Sequence, residues 1–215
     1  INKIKEMFKY STLICVMSGN FTQRGSTSLI DKWSKTKMAL ENGVDLVIEL
    51  PVLYSISSAE NFASGAIKIL DSINIVSDIC FGSECNNIDI LNKVANILVT
   101  EPYEFKTLLS SELSKGISFA KARENACLKY LNIQNNILST PNNILGIEYL
   151  KAIKKLNSNI NPHIISRTES NYNSLEIKNN IASSTAIRNI IKQNKNNLDI
   201  LKNVMPESSY SILIE

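Results

Sequence analysis

Residues 16–51 constrain the fold of this chain more than any other stretch. Their sequence is VMSGNFTQRGSTSLIDKWSKTKMALENGVDLVIELP, in which two apolar, β-rich runs flank a polar loop and a basic amphipathic segment. The order predicts strand, loop, helix and strand, because a short continuous apolar run is typical of a parallel strand covered on both faces. Open α/β sheets use such a unit to hold nucleotides beyond the carboxyl ends of their strands.

Composition indicates an ordinary globular protein. The 215 residues are 44% hydrophobic and 20% charged, and 23 basic against 20 acidic residues leave a net charge of +3. This charge is too small to identify a nucleic-acid partner, although it permits a local basic patch. No apolar run approaches the roughly 20 residues that span a bilayer, and no signal peptide opens the chain. We therefore expect a cytoplasmic protein with no membrane partner.

The four cysteines support the same expectation. Cys15, Cys80, Cys85 and Cys127 form no C-x-x-C pair and show no metal-ligand spacing. We interpret them as reduced thiols of a cytosolic protein rather than as disulfides, and we predict no metal site.

The remaining elements alternate between strands and helices. Two strands, each followed by a helix after a short connection, predict right-handed crossovers and therefore a Rossmann-like, doubly wound parallel sheet of the α/β class. Asp31 and Ser58 are predicted N-caps, and Gly43 is a predicted helix end. The predicted strands are 12–17, 46–50, 77–82 and 163–166, and the predicted helices are 1–10, 32–42, 59–73, 145–156 and 184–193.

Residues 88–131 depart from this alternation. They contain three consecutive helical patterns with no strand between them, which predicts a helical insert. We expect residues 1–194 to form one α/β domain that carries this insert, and residues 195–215 to begin a further C-terminal region. The chain opens in the middle of a helical pattern without a cap, so we also expect an element before Ile1.

Several residues fall where a parallel sheet binds ligands. Gly82 directly follows a strand, where the lack of a Cβ lets a ligand approach the backbone, although a turn glycine is the simpler interpretation. Arg167 follows the strand HIIS at the same predicted edge, although a single arginine is more often a surface residue. Asn142 and Asn143 follow Pro141 before a helix, so one of them is the predicted N-cap, and an amide there suits an adenine or ribose edge.

A second cluster lies at the start of the 184–193 helix. Ser183 and Ser184 precede Arg188 in the pattern S-S-T-x-x-R. Free N–H groups and hydroxyls at a helix N-terminus suit a phosphate, and an arginine one turn later faces the same way. An ordinary N-cap with a solvated arginine is the alternative.

The stretch from Gln23 to Lys37 is basic. Arg24 in the loop and Lys32 on the following helix are candidate RNA or phosphate contacts, although a solvated helix face explains the lysines equally well. We predict Trp33 to be a core residue rather than a base-stacking platform. His163, the only histidine, lies in an apolar run and is predicted to be structural.

Five segments together resemble a known family. VMSGNFTQRG, DKWSKTKMALENGVDLVIELP, CFGSE, PNNILGIEYLKAI and SSTAIR closely resemble the bacterial tRNA(Met) cytidine acetate ligases of the nucleotidyltransferase-like superfamily. Such enzymes use ATP to activate acetate as acetyl-adenylate and then acetylate N4 of the wobble cytidine in elongator tRNA(Met). The resemblance implies ATP as substrate, accompanied by Mg²⁺, with acetate and elongator tRNA(Met) as partners.

The resemblance also implies site residues. The ATP contacts of the family fall on Gly82, Asn142, Arg167 and Thr168, and its wider superfamily implies a phosphate contact at Ser183, Ser184 and Arg188. The family begins with a strand and an N-P-F-H-N-G-H loop, whose histidines would lie upstream of Ile1, so no catalytic residue is assigned within this chain. Such donors contribute on the order of a hundredfold or more to a rate. We therefore expect the 215-residue chain to be inactive, and detection of acetyl-adenylate would contradict this.

Two alternative functions fit the same residues. One is an adenylyltransferase that acts on a small metabolite, and the other is a nucleotide- or RNA-binding module without catalysis. The long helical segment and the basic loop favour a large substrate over a small metabolite.

Overall fold

The computed structural model describes residues 1–133, 137–166, 184–193 and 198–215, with the backbone alone at 184 and 185. The chain divides into two compact units, one formed by residues 1–56 and 167–215 and the other by residues 57–166. The helices are α1 (Asn2–Met7), α2 (Lys32–Glu41), α3 (Val52–Ser55), α4 (Ala59–Ile73), α5 (Ile88–Thr100), α6 (Tyr103–Leu113), α7 (Phe119–Leu131), α8 (Pro141–Leu156), α9 (Ser184–Gln193) and α10 (Glu207–Ile214), with a 3-10 helix at Asp199–Asn203. The strands are β1 (Ile14–Ser18), β2 (Leu46–Leu50), β3 (Asp78–Ser83) and β4 (Asn161–Ser166).

The first unit contains the strand–helix–strand stretch predicted from residues 16–51. β1 and β2 pair in parallel, from Ile14 opposite Leu46 to Ser18 opposite Leu50, and α2 makes the crossover between them. The carboxylate of Asp31 accepts hydrogen bonds from the first free N–H groups of α2, which confirms it as the N-cap. Gly43 ends the helix with φ +97°, a conformation that favours glycine.

The C-terminal helix packs on α2 in the same unit. Asn42 Nδ2 donates to Ser208 Oγ at 3.0 Å and to Ser209 Oγ at 2.9 Å. These hydrogen bonds join the end of α2 to the beginning of α10. The predicted boundary at residue 194 and the C-terminal region beyond it stay predictions.

The second unit is built on the other strand pair. β3 and β4 run in parallel, from Asp78 opposite Asn161 to Ser83 opposite Ser166, with α4 before β3 and α5–α8 between the strands. The three helices predicted within residues 88–131 are present as α5, α6 and α7. Apolar side chains from β3 and from α5 to α8 form the main core: Phe81, Leu91, Val94, Ala95, Ile97, Phe105, Ala126, Cys127, Ile137, Leu138, Ile147 and Leu150.

The predicted α/β class with parallel strands and helical crossovers is confirmed. The described strands form two parallel pairs, β1–β2 and β3–β4. The predicted helix 145–156 begins four residues earlier, at Pro141, because proline is well tolerated at the first position of a helix. The structure adds three short elements that the sequence did not predict, namely α3, the 3-10 helix and α10.

A buried carboxylate joins α6 to α7. Glu112 is only 1% exposed, and it accepts hydrogen bonds from Lys115 Nζ at 2.6 Å, Lys129 Nζ at 2.5 Å and Asn125 Nδ2 at 2.9 Å. These hydrogen bonds, with Lys115 the largest contributor, lower the pKa of Glu112 from 4.5 to about 2. The folded state therefore holds the ionised form more strongly than the unfolded chain does.

The lowered pKa of Glu112 predicts that this carboxylate stabilises the folded state at neutral pH and loses its effect in acid. Because the folded pKa is lowered, the contribution is complete above the unfolded pKa of 4.5 and is lost as the pH falls from there towards 2. We expect Glu112→Gln to lower the melting temperature at neutral pH, and the difference from the unsubstituted chain to shrink through this acidic window. Glu104→Gln, on the exposed side of α6, is the control. A difference that stays constant down to about pH 3 would contradict the assignment.

Candidate functional site

The loop after β3 is held by one buried side chain. Asn143 is 3% exposed, and its Oδ1 accepts hydrogen bonds from Ser83 Oγ at 2.7 Å, Glu84 N at 3.0 Å and Cys85 N at 3.0 Å. Ser83 is fully buried, and the carbonyl oxygen of Cys85, 2.8 Å from Ser83 Oγ, is a second acceptor within reach of its single hydroxyl proton. The backbone that follows Gly82 is thus fixed in one conformation against the start of α8.

Glu84 makes the reciprocal connection. Its Oε2 accepts from Asn143 N at 3.1 Å, and its Oε1 accepts from Asn142 Nδ2 at 2.5 Å. A carboxylate is stabilised at a helix N-terminus by the unpaired N–H groups and the helix dipole. The predicted N-cap at Asn142 or Asn143 is therefore wrong: Thr140 occupies that position without a side-chain cap bond, and Glu84 supplies the acceptor.

Gly82 and the start of α8, which carries Asn142, lie at this edge, and the assignment of both residues to ATP stays a prediction. Gly82 immediately precedes the loop that binds the start of α8, and it pairs with Ile165 near the carboxyl end of β4. The last residue of β4, Ser166, donates to Asn86 Oδ1 at 2.5 Å, which ties that strand end to the same loop. Arg167 and Thr168, which follow Ser166 in the sequence, lie outside the described residues.

The first unit brings two cations together at the end of β1. Lys35 Nζ donates to the carbonyl oxygens of Ser18 at 2.6 Å and Gly19 at 2.8 Å. Burial lowers the pKa of Lys35, the positive charge of Arg188 lowers it further, and Glu49 opposes both. Arg188 of α9 therefore lies close to Lys35. Ser183 and the side chain of Ser184 lie outside the described part of the chain.

The loop between β1 and α2 is closed by its own hydrogen bonds. Phe21 and Thr27 form an antiparallel bridge, Thr22 N donates to Ser26 O at 2.9 Å, and Gly25 turns the chain with φ +75°. Arg24 is exposed at this turn. The loop therefore presents its arginine on a defined backbone.

Trp33 is not a core residue, and the prediction that it would be one is wrong. Its side chain is 75% exposed, and α2 has no buried residue. The hydrophobic indole suggested burial. However, Trp33 lies in the first turn of α2, and this helix packs on its unit through half-buried side chains rather than through a buried face. Lys32 Nζ lies 5.3 Å from the Trp33 ring centroid and 2.7 Å from Glu49 Oε2.

His163 and the remaining candidates for chemistry lie elsewhere. His163 is paired in register with Cys80, and its Nε2 lies 2.8 Å from Asp78 Oδ1, away from the carboxyl end of β3. Within the described ranges, no group of three His, Cys, Asp or Glu side chains is arranged to hold a metal ion. The described helices include none that is long and apolar enough to cross a bilayer.

Glu84 and Glu49 were not predicted to act at these sites, and Asn143 was predicted as a cap or ligand contact rather than as the acceptor that holds the loop. Glu84 and Asn143 lock the loop in the second unit, and Glu49 pairs with Lys32 in the first. The available signals were weak: a carboxylate two residues after a strand-end glycine, and a single acid inside the apolar run LVIEL. Only the tertiary structure shows which side chains these groups contact.

Comparison with known proteins agrees with the resemblance found in the sequence. The profile of the family described as HIGH Nucleotidyl Transferase matches residues 1–215. The tRNA(Met) cytidine acetate ligase of Clostridium botulinum (strain Okra / Type B1) is 51% identical over 214 residues, which cover 96% of this chain and 52% of the relative. The protein of the same name from Clostridium novyi (strain NT) is 48% identical over 218 residues, covering 100% and 54%. The chain thus spans about half the length of these relatives.

Solved structures give the same result. Apo TmcAL of Thermotoga maritima matches with a TM-score of 0.92 and 38% sequence identity, over 99% of this chain and 51% of that protein. TmcAL of the same organism bound with alpha-thio ATP matches with a TM-score of 0.87 and 38% identity, over 99% and 50%. Because a family profile matches residues 1–215, the chain belongs to the HIGH nucleotidyl transferase family.

Proposed function

We propose that this chain forms the ATP-binding part of a ligase that activates acetate and acetylates N4 of the wobble cytidine in elongator tRNA(Met). Two clostridial relatives at 48–51% identity bear the name tRNA(Met) cytidine acetate ligase, and a solved relative at 38% identity was crystallised with alpha-thio ATP. A tRNA substrate places the reaction in the cytoplasm.

The locked loop after β3 carries this proposal. A nucleotide site needs backbone that does not move when the ligand binds, because ordering a loop costs free energy. Asn143 and Glu84 together hold the backbone after Gly82 through buried hydrogen bonds. In this arrangement Asn142 Nδ2 is used by Glu84, so its amide oxygen is the group offered to a ligand. An amide oxygen accepts from an adenine amino group or a ribose hydroxyl.

In this proposal, positively charged side chains stabilise the negative charge of the triphosphate. Acetate attacks the α-phosphorus, a carboxylate oxygen–phosphorus bond forms, and the bond to the β-phosphate breaks as pyrophosphate leaves. Such transfers depend chiefly on positioning and on charge stabilisation. We propose that Arg188, whose charge acts on Lys35, contacts phosphate together with Ser183, Ser184 and Arg167, and that Thr168 is a further ATP contact. Mg²⁺ would accompany ATP in this proposal, bound mainly through the phosphates.

Removal of the Asn142 amide tests the ATP site. We expect Asn142→Ala to weaken ATP binding about three- to tenfold, which is the value of one hydrogen bond. Isothermal titration calorimetry of the 215-residue chain with ATP measures this. Asn96→Ala, exposed on α5, is the matched control. If both variants bind ATP as tightly as the unsubstituted chain, Asn142 is not a ligand-binding residue.

A further inference from the structure

An exposed tryptophan lies beside a small cavity in the first unit. Trp33 is the only tryptophan of the chain, and it is 75% exposed. Its helix, α2, has no buried residue. Burial of such a ring is worth up to a few kcal/mol, so packing does not explain its position. An exposed aromatic ring beside a cavity can stack on a nucleic-acid base.

The cavity has the size of one ring system. Its volume is about 240 Å³, and Met17, Val47, Trp33, Lys32 and Glu49 are among the residues that line it. Pockets for drug-sized ligands usually measure about 300 to 1,000 Å³, so this cavity suits a single base better than a whole nucleoside triphosphate. It lies at the carboxyl ends of β1 and β2, the edge at which parallel sheets bind ligands.

The polar groups of the cavity define which base fits. Glu49 Oε2 lies 2.7 Å from Lys32 Nζ, and both side chains are partly exposed. A carboxylate accepts a hydrogen bond from the exocyclic amine of cytosine but repels the O4 oxygen of uracil. A Cβ on Gly19 would come within 2.1 Å of Glu49 Oε1, so the lack of a side chain there lets the carboxylate lie against the strand end.

The surroundings favour a nucleic-acid chain over a free base. Arg24 is exposed on the loop that precedes α2, Lys32 lies beside Trp33 and pairs with Glu49, and the exposed Lys37 on the same helix pairs with Glu215. Single-stranded nucleic acids bind where aromatic rings stack on bases and basic residues track the backbone phosphates. Trp33 with these cations provides both components on one unit.

We propose that this cavity binds a cytosine base of single-stranded RNA, with Trp33 stacked on the ring and Glu49 accepting from its exocyclic amine. The inference rests on the proposed function, in which the anticodon loop of tRNA(Met) supplies the cytosine. It assigns a surface for the RNA substrate in addition to the proposed ATP site. Lys32 balances the charge of Glu49 while its ammonium group lies near the indole.

Fluorescence tests the stacking step directly. Because Trp33 is the only tryptophan, its emission reports on this cavity alone. We expect an anticodon stem-loop RNA with cytosine at the wobble position to quench the emission of the 215-residue chain. In fluorescence anisotropy with labelled RNA, Trp33→Ala should weaken binding about 5- to 100-fold, the value of one stacked base. Trp33→Phe should restore most of the affinity, and Tyr103→Ala, which removes an equally exposed ring from α6, should have no effect.

Glu49 determines the base preference in this proposal. We expect Glu49→Gln to reduce the preference for cytosine over uracil at the wobble position severalfold, because the amide offers a donor as well as an acceptor. Gly19→Ala should act in the same direction, since its Cβ displaces the carboxylate. Circular dichroism spectra confirm that each variant is folded.

Two results would overturn the inference. The first is an RNA affinity that Trp33→Ala leaves unchanged. The second is quenching of Trp33 emission by ATP that added RNA does not reverse, which would assign the cavity to adenine. Calorimetry with ATP on the same preparations separates the two hypotheses. If Asn142→Ala keeps full ATP affinity while Trp33→Ala loses RNA binding, the ATP site is wrong and the cytosine cavity stands.

Discussion

Replacement of Asn143 by alanine is expected to lower the free energy of unfolding by about 2–3 kcal/mol. The substitution removes the acceptor for the Ser83 hydroxyl and for the N–H groups of Glu84 and Cys85. Glu84 N loses its acceptor, which costs roughly 1–3 kcal/mol, whereas the Ser83 hydroxyl keeps Cys85 O and Cys85 N keeps Ser83 Oγ. Urea denaturation followed by circular dichroism measures the change.

The neighbouring asparagine is the matched control for this prediction. Asn142→Ala removes one half-buried hydrogen bond to Glu84 and should cost about 1 kcal/mol. The two substitutions therefore separate two roles: Asn143 supports the fold of the loop, whereas Asn142 acts on the nucleotide. Equal losses of stability in the two variants would contradict this division.

Replacement of Lys151 by methionine is the second large effect. Lys151 and Glu148 are 6% and 5% exposed on α8, and Lys151 Nζ lies 2.6 Å from Glu148 Oε2 and 3.5 Å from Glu60 Oε1 of α4. Among the described residues, the buried Glu148 Oε2 has no hydrogen-bond partner, so the attraction within this pair is between charges. Removal of one partner leaves a buried carboxylate without compensation, which typically costs about 3–5 kcal/mol.

Lys155 provides the control for Lys151, because both ammonium groups lie near the carboxylate of Glu60. It lies one turn later on α8, its Nζ is 2.9 Å from Glu60 Oε1, and its side chain is 53% exposed. Exposed ion pairs contribute about 0–1 kcal/mol, so Lys155→Met should barely change the urea midpoint. The double variant Glu148→Leu with Lys151→Met should recover much of the lost stability, because no uncompensated charge remains. If Lys151→Met is as stable as Lys155→Met, the buried pair does not act as described.

Local sequence signals predicted the elements that depend on neighbouring residues. Asp31 and Ser58 were identified as caps because a short polar side chain before an apolar helical repeat satisfies the first free N–H groups. Strand β2 was predicted with its observed bounds because a short apolar run closed by Pro51 has few alternative structures. The start of α8 was misplaced since both asparagines are good caps, while the actual acceptor, Glu84, lies 59 residues away from Asn143.

The sequence by itself determined the α/β class, the order of strands and helices, and the positions of Gly82 and Asn142 at the carboxyl edge of the second strand pair. These features follow from periodicity and capping, which act over a few residues. Only the tertiary structure decided that Trp33 is exposed, that Glu49 lies against Gly19, and that Asn143 is buried as a triple acceptor. Burial and hydrogen-bond partners depend on groups that are distant in the chain, so no local pattern of residues specifies them.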